Sequence, residues 1–301
     1  MLRLKTLFLA TRPGFFTASL VPVLLGAAVA WQQTRDFNPS YLLITLAAVL
    51  CFHAAMNVLN DYCDYRNNTD NINKSALPPF TGGSGLIQRG LISPGATLQL
   101  SLTLLFAGSV IGLYLALKVS PLLFLIGGAG VLSGIFYSTP PVFFAGRGLG
   151  ELVVGLDFGV LTVLGSFIVQ TGGAAAEPVA ASLPISLLIS GLLYINEFPD
   201  IEADRECGKL NLVVRLGHDG AVKGFLVLIF AAYLSLIAGV LTGYLPLPAL
   251  AALLSAPLAI RAALILKADK EAGPGLVPAI RSLIMAHISC GLLLVLGEVL
   301  A

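Results

Sequence analysis

The sequence predicts an all-α integral membrane protein, a bundle of nine transmembrane helices forming a single domain over residues 1–301. Three observations predict it. Hydrophobic residues make up 57% of the chain and charged residues only 11%, where soluble domains carry about a quarter. The apolar residues collect in runs of about 20, the length that crosses a hydrocarbon core of about 30 Å. The basic residues fall almost entirely into alternate connections, as the positive-inside rule requires. The lipid bilayer is therefore the first expected partner. A net charge of +1 with scattered basic residues gives no reason to expect nucleic acid.

The predicted spans are 13–32, 40–61, 97–118, 120–138, 149–171, 180–198, 222–244, 247–266 and 277–299. The basic stretch before the first span holds Arg3, Lys5 and Arg12. The apolar run behind it is long enough to span and lacks a small-residue cleavage site, so it is read as a retained helix. Proline and glycine at Ser120-Pro121 and Gly243 to Pro246 stop one helix and start the next antiparallel to it. Arg66, Lys74 and Arg89 follow the second span, Arg147 the fourth, and Arg205, Lys209, Arg215 and Lys223 the sixth. Arg261, Lys267, Lys270 and Arg281 surround the turn after the eighth, and only Arg35 and Lys118 fall on the other side. This asymmetry predicts a multi-pass protein of the cell's inner (cytoplasmic) membrane, with its N-terminus cytoplasmic and its C-terminus external. The four cysteines, Cys51, Cys63, Cys207 and Cys290, show neither a zinc spacing nor a disulfide framework.

Two oily segments end in polar groups. In the first, Asn57, Asn60, Asp61 and Asp64 recur at three- and four-residue steps and project from one face of a helix. In the second, Asn196, Asp200 and Asp204 recur at four-residue steps. Both fall on the predicted cytoplasmic side. Their likeness suggests a parallel four-helix unit used twice, plus a ninth helix, with the polar ends facing across a cavity. Related tails follow, Ser84 to Gly90 after the first cluster and Lys209 to Gly217 after the second. Solvated helix caps are the plainer reading of such residues, and the repetition argues against it.

Hard divalent cations such as Mg²⁺ take oxygen ligands and are usually held by one or two carboxylates plus substrate phosphates. Mn²⁺ suits the same ligands. Carboxylates alone repel a diphosphate, so metal must intervene, with Arg66, Lys209, Arg89 and Arg215 adding positive charge for a leaving diphosphate. Below this polar mouth only apolar and aromatic helices are available. A lipid diphosphate fits both halves.

Asn60-Asp61-x-x-Asp64 with Asp70 behind it, Asp200-x-x-x-Asp204 followed by Arg205 and Gly208-Lys209, the Gly82 to Gly90 loop, and Tyr137 ahead of Gly146 to Glu151 together resemble the UbiA superfamily of intramembrane prenyltransferases. Within it the chain is most similar to the 1,4-dihydroxy-2-naphthoate prenyltransferases of menaquinone synthesis. The likeness runs from Arg12-Pro13 to at least Gly217. It implies a nine-helix bundle in which Mg²⁺ holds a polyprenyl diphosphate while an aromatic acceptor attacks the allylic carbon. By the resemblance, Asp61, Asp64, Asp70, Asp200 and Asp204 hold metal. Asn57, Asn60, Asn196, Arg66, Arg89, Arg147 and Lys209 bind substrate, and Tyr137 joins Asp61, Asp64, Asp200 and Asp204 in catalysis. With a dihydroxynaphthoate acceptor the family reaction also releases CO₂ and gives a demethylmenaquinone.

Several residues keep two readings. Tyr137 either faces the developing cation, worth roughly 0.5–2 kcal/mol, or anchors the membrane interface. Asp157 breaks the apolar fifth span, where a carboxylate is expensive and by default a functional candidate; the other reading is a hydrogen-bonded acid between helices. His53, one turn before Asn57, either orients it or accepts a proton from the ring, or else packs as a satisfied histidine between helices. Cys63 and Cys207 are bystanders, since thiols suit Mg²⁺ poorly. Ala145 stands where a lysine is expected in the naphthoate enzymes, and Glu197 and Pro199 also depart from the usual second motif. These departures touch the acceptor: 4-hydroxybenzoate, a chlorophyll precursor or a glycerol phosphate ether remain alternatives. A secondary transporter is the rival from another class, and it predicts polar clusters near the midplane instead of the edge.

Overall fold

The computed structural model describes residues 4–301, and among them every regular element is helical. Arg3, counted above among the N-terminal basic residues, lies outside the described residues. A short helix α1 (Leu4–Ala10) leads through a turn at Pro13–Phe15 into α2 (Thr17–Thr34). Then come α3 (Pro39–Arg66), the four-residue α4 (Thr69–Ile72), α5 (Pro94–Lys118) and α6 (Leu122–Ser138). The chain continues as α7 (Gly150–Thr171), α8 (Glu177–Asn196), α9 (Ile201–Glu206), α10 (Leu212–Leu241), α11 (Leu247–Ala268) and α12 (Val277–Leu300).

Eight helical stretches among the described residues are long and apolar enough to cross a bilayer. The remaining expected span is α6, whose 17 residues reach about 25 Å at about 1.5 Å per residue. This is an all-α, multi-pass membrane fold, and a count of nine includes that shorter helix.

The helix starts follow local chemistry. Asn38 accepts a hydrogen bond from Tyr41 N ahead of Pro39, Ser93 does the same for Ala96 N ahead of Pro94, and Asn211 caps α10 through Val214 N. Each satisfies a backbone donor that the first turn leaves free. Helix α3 does not stop at residue 61 as expected but runs to Arg66, so its polar turns project from a rigid rod. In α10 the backbone leaves the helix at Gly217 (φ 65°), a left-handed conformation that glycine adopts without a Cβ penalty. The apolar run expected from residue 222 therefore begins a turn beyond this break.

The buried core lies among α2, α7, α8, α10, α11 and α12, with Leu25, Phe167, Leu188, Phe225, Leu266 and Ile280 inside it. Helix α5 packs along α3. The outer faces of α5 and α6 carry exposed Phe106, Leu117 and Leu125, an apolar belt suited to lipid and not to water. Between α3 and α7, with α2, α6 and α8 closing the sides, is a cavity of about 370 Å³.

Candidate active site

The last turns of α3 bring the first acidic set to the polar end of this cavity. Asn57, Asn60 and Asp64 line it, as their shared helical face requires. Asn60 Nδ2 donates to Asp64 Oδ2 (3.1 Å) and to Ser138 Oγ at the end of α6 (3.2 Å). Asn57 Nδ2 is spent on Thr11 O (3.0 Å), which ties the N-terminal turn to α3. Asp61 is buried and set back from the cavity wall. Its Oδ2 accepts from Ser84 N (3.1 Å), and Arg12 Nη1 stands 3.9 Å from Oδ1.

The loop after α4 reaches both acidic sets. Gly83 (φ 65°) approaches so closely that a Cβ there would run into the Asp70 and Asp61 carboxylates. Ten residues earlier in the loop, Asn73 Nδ2 donates to Asp200 Oδ1 (2.6 Å). The second set follows α8. Asn196 lines the cavity, Asp200 precedes α9, and Asp204 lies within it. Asn211 Nδ2 donates to Asp204 Oδ2 (2.7 Å).

Lys209 joins the two sets. Its Nζ lies 3.4 Å from Asp64 Oδ2 and 3.5 Å from Asp204 Oδ1. Burial works against its charge, but Asp64 and Asp204 outweigh it and raise its pKa well above the ordinary lysine value. Burial pushes Asp204 up to about 7 in spite of Lys209, and pushes Asp70 to about 7 with the Asp64 and Asp61 charges adding to it. Asp200 is also raised by burial, against the opposing pull of Asn73 and Lys209. Crowded carboxylates resist holding several negative charges together, and the site has one buried ammonium to offset them.

Not every residue named from the sequence reaches the cavity. Arg66 is exposed and donates to Tyr62 Oη (3.2 Å). Two residues along a helix turn it about 200° from Asp64, onto the opposite face. Arg89 is exposed and folds onto the carbonyls of Gly85 (2.9 Å) and Ser84 (3.0 Å), while Arg147 donates to Pro141 O (2.9 Å). The cations nearest the acidic sets are instead Lys209 and Arg12. Arg12 was legible as a basic residue before the first span and as the start of the family likeness, without a role at the site. It lies at the cavity with Nη2 donating to Phe80 O (3.3 Å). Asn73, Ser84 and Asn211 hold three of the aspartates; Ser84 and Asn211 lay within the two related tails but were not singled out, and Asn73 carried no signal beyond being polar.

Tyr137 lines the cavity one residue before Ser138. Deeper in are His53, whose Nδ1 pairs with Ser19 Oγ (2.7 Å), and Asp157, whose carboxylate meets Ser133 Oγ. His53 packs edge-on against Phe16 and Phe158. Cys63 and Cys207 make no hydrogen bond through sulfur, and among the described residues no three carboxylate, imidazole or thiol groups converge closely enough to hold an ion unaided. The buried Asp61 Oδ1, Asp204 Oδ1 and Asn196 Oδ1 nevertheless have no hydrogen-bond partner. Arg12 and Lys209 come no closer than 3.9 Å and 3.5 Å to the two carboxylate oxygens, which leaves all three oxygens able to take a closer donor or cation. The set therefore fits hard divalent ions that complete their coordination with substrate phosphate, and does not fit an ion bound alone.

An acidic, lysine-bridged mouth above an apolar cavity, inside a helical bundle exposed to lipid, defines a membrane-embedded site that joins a charged end to an apolar one. The model of the UbiA prenyltransferase family matches residues 19–277. The chain belongs to that family and is a prenyltransferase. It is 31% identical over 239 residues to the 1,4-dihydroxy-2-naphthoate octaprenyltransferase of Bacillus subtilis (strain 168), covering 79% of this chain and 75% of that one. It is 32% identical over 230 residues to UbiA prenyltransferase domain-containing protein 1 of Rattus norvegicus, covering 75% of this chain and 65%, just under two thirds, of that protein. In fold it is similar to a UbiA homolog from Archaeoglobus fulgidus solved with DMAPP and Mg²⁺, with a TM-score of 0.68, 17% identity and coverage of 96% and 99%.

Proposed function

We propose that the protein transfers a polyprenyl group from a polyprenyl diphosphate to a hydroxylated aromatic ring, with Mg²⁺ as cofactor and 1,4-dihydroxy-2-naphthoate as the leading acceptor. The observation that carries this reading is the pairing of two acidic sets across Lys209 at the mouth of one apolar cavity. The Bacillus relative supports the naphthoate acceptor. The similar match to the rat protein, whose name specifies no acceptor, supports prenyl transfer to another ring equally well, so the acceptor is the finer and separately tested part.

Asp61, Asp64, Asp70, Asp200 and Asp204 are the oxygens available to the metal, with Asn60 and Asn196 beside them. Bound Mg²⁺ supplies charge neutralisation for the diphosphate as it leaves. Lys209, already assigned from the sequence, is joined by Arg12 in place of Arg66, Arg89 and Arg147, and the two orient the diphosphate by charge. The apolar cavity excludes water from the allylic carbon while the C–O bond breaks, and Tyr137, which lines that cavity, is the aromatic residue assigned to the developing cation. The ring carbon of the acceptor then forms the new C–C bond, and its proton or carboxyl group departs. The polar mouth faces the cytoplasm in this reading, and the two similar acidic ends are copies of one four-helix unit.

The test is turnover by the purified protein in lipid with Mg²⁺, a labelled polyprenyl diphosphate and a panel of acceptors. Prenylation of dihydroxynaphthoate with CO₂ release is the expected result. Transfer only to another ring discards the naphthoate branch, and no metal-dependent transfer to any acceptor discards the reading. Asp61→Ala and Asp200→Ala are each expected to abolish turnover while the protein stays in the membrane, and appreciable activity in either removes its aspartate from the metal set.

A further inference from the structure

Below the diphosphate layer the cavity holds one more carboxylate, Asp157, and its surroundings leave it chemically incomplete. Ser133 Oγ lies 2.8 Å from Asp157 Oδ1 and 2.7 Å from Oδ2, and also 2.7 Å from Ala129 O and 3.2 Å from Gly130 O. A serine hydroxyl has one proton to donate. With Asp157 ionised, four acceptor oxygens thus surround a single donor, and among the described residues Asp157 has no other side-chain partner. A carboxyl group at this depth needs a further donor.

The backbone aims Asp157 at that space. Gly155–Leu161 is a π-helical segment within α7, and Thr162 Oγ1 donates to Asp157 O (2.7 Å) across it. Single π turns inside α-helices recur at functional sites because they redirect a side chain. Opposite Asp157, Gly127 and Gly130 of α6 line the cavity, and a Cβ on either would meet nothing within 4 Å. That leaves a flat wall with room for a planar ring. The depth also fits. Ser133 is five residues below Ser138, which bonds Asn60 of the first acidic set, and five residues of helix descend about 7.5 Å.

We infer that Asp157, oriented by Ser133, accepts a hydrogen bond from a hydroxyl of the aromatic acceptor and so selects a hydroxylated ring. The inference rests on the prenyl-transfer reading above and adds the residue that reads the acceptor. A hydroxyl bound to a carboxylate places its ring against the glycine wall, beside the allylic carbon, and pushes electron density into the ring that attacks.

The experiment compares kcat/KM for a hydroxylated acceptor and its O-methyl ether, in the wild type and in Asp157→Asn and Asp157→Leu. A hydrogen bond to a charged group is worth about 1.5–3 kcal/mol, roughly 10- to 150-fold. The wild type is expected to prefer the free hydroxyl by that ratio, and the leucine variant to reduce the preference to within about threefold. Asparagine keeps the shape and provides the comparison if leucine impairs folding. In each variant the KM for the prenyl diphosphate is expected to stay within about twofold of wild type, which a general packing defect would not allow. An undiminished preference in both variants overturns the assignment of Asp157 and leaves the prenyl-transfer reading standing. A wild type that prenylates no ring under Mg²⁺ overturns both.

Discussion

Lys209 is the residue on which the two acidic sets depend. With Nζ 3.4 Å and 3.5 Å from carboxylates of α3 and α9, it replaces neither hydration nor metal fully, yet it is the one ammonium between them. Removing it leaves Asp64 and Asp204 facing each other without compensation, and an unpaired buried charge is strongly unfavourable. Lys209→Met is expected to lower kcat/KM for the prenyl diphosphate by at least tenfold, with Lys209→Arg restoring part of it; steady-state kinetics on both variants check this. Gly83 gives a second test at the same scale. Gly83→Ala combines a strained φ with a Cβ aimed at Asp70 and Asp61. It is expected to weaken metal-dependent diphosphate binding at least tenfold while the protein remains folded by circular dichroism.

At the scale of elements, the contact between α7 and α8 is set by small residues. A Cβ on Gly159 would overlap the Ser186 side chain, and overpacking of this kind costs about 1–3 kcal/mol. Gly159→Ala is expected to lower the Tm, with Ser186→Gly recovering only part of the loss in the double variant, because the Ser186 Cα also stands in the way of the new methyl group. Most elements were legible because a span's length and its flanking prolines are local properties: the expected and observed limits of α5, α6, α7, α11 and α12 differ by only a few residues. What was not legible depends on tertiary arrangement. Helix α3 keeps its polar last turns helical because Asn60 and Asp64 find partners on α6 and at Lys209. The arginines lie off the cavity for the complementary reason: they were assigned by resemblance and charge, while Arg66 sits on the far face of α3 and Arg89 and Arg147 fold onto nearby carbonyls. Arg12 is far from both acidic stretches in sequence, and only the packing of the N-terminal turn against α3 brings it to Asp61.

At the scale of the whole molecule, the acidic mouth couples protonation to stability. Asp70 and Asp204 have pKa values raised from 3.8 to about 7, so the folded protein binds protons that the unfolded chain releases. The stability from this source is fully present below about pH 4 and is lost as pH rises through about 7. Metal-free protein in detergent is therefore expected to show a Tm that falls over that window and levels above it. Mg²⁺ with a prenyl diphosphate should flatten the slope by binding the ionised form. Orientation is tested at the same scale. In a cysteine-free background, Arg89→Cys is expected to react with a membrane-impermeant maleimide from the cytoplasmic side and Thr242→Cys from the outside.

The loop that follows α4 supports carboxylates of both halves, through Asn73 at Asp200 and Ser84 at Asp61, and the exposed Lys74 lies between these two anchors. A single tryptic nick at Lys74 therefore frees one anchor from the other without cutting any spanning helix. Such a nicked protein is expected to stay assembled in the bilayer yet lose turnover, and saturating Mg²⁺ and prenyl diphosphate should slow the cleavage. Protease sensitivity at one peptide bond then reports occupancy of the site without a labelled substrate.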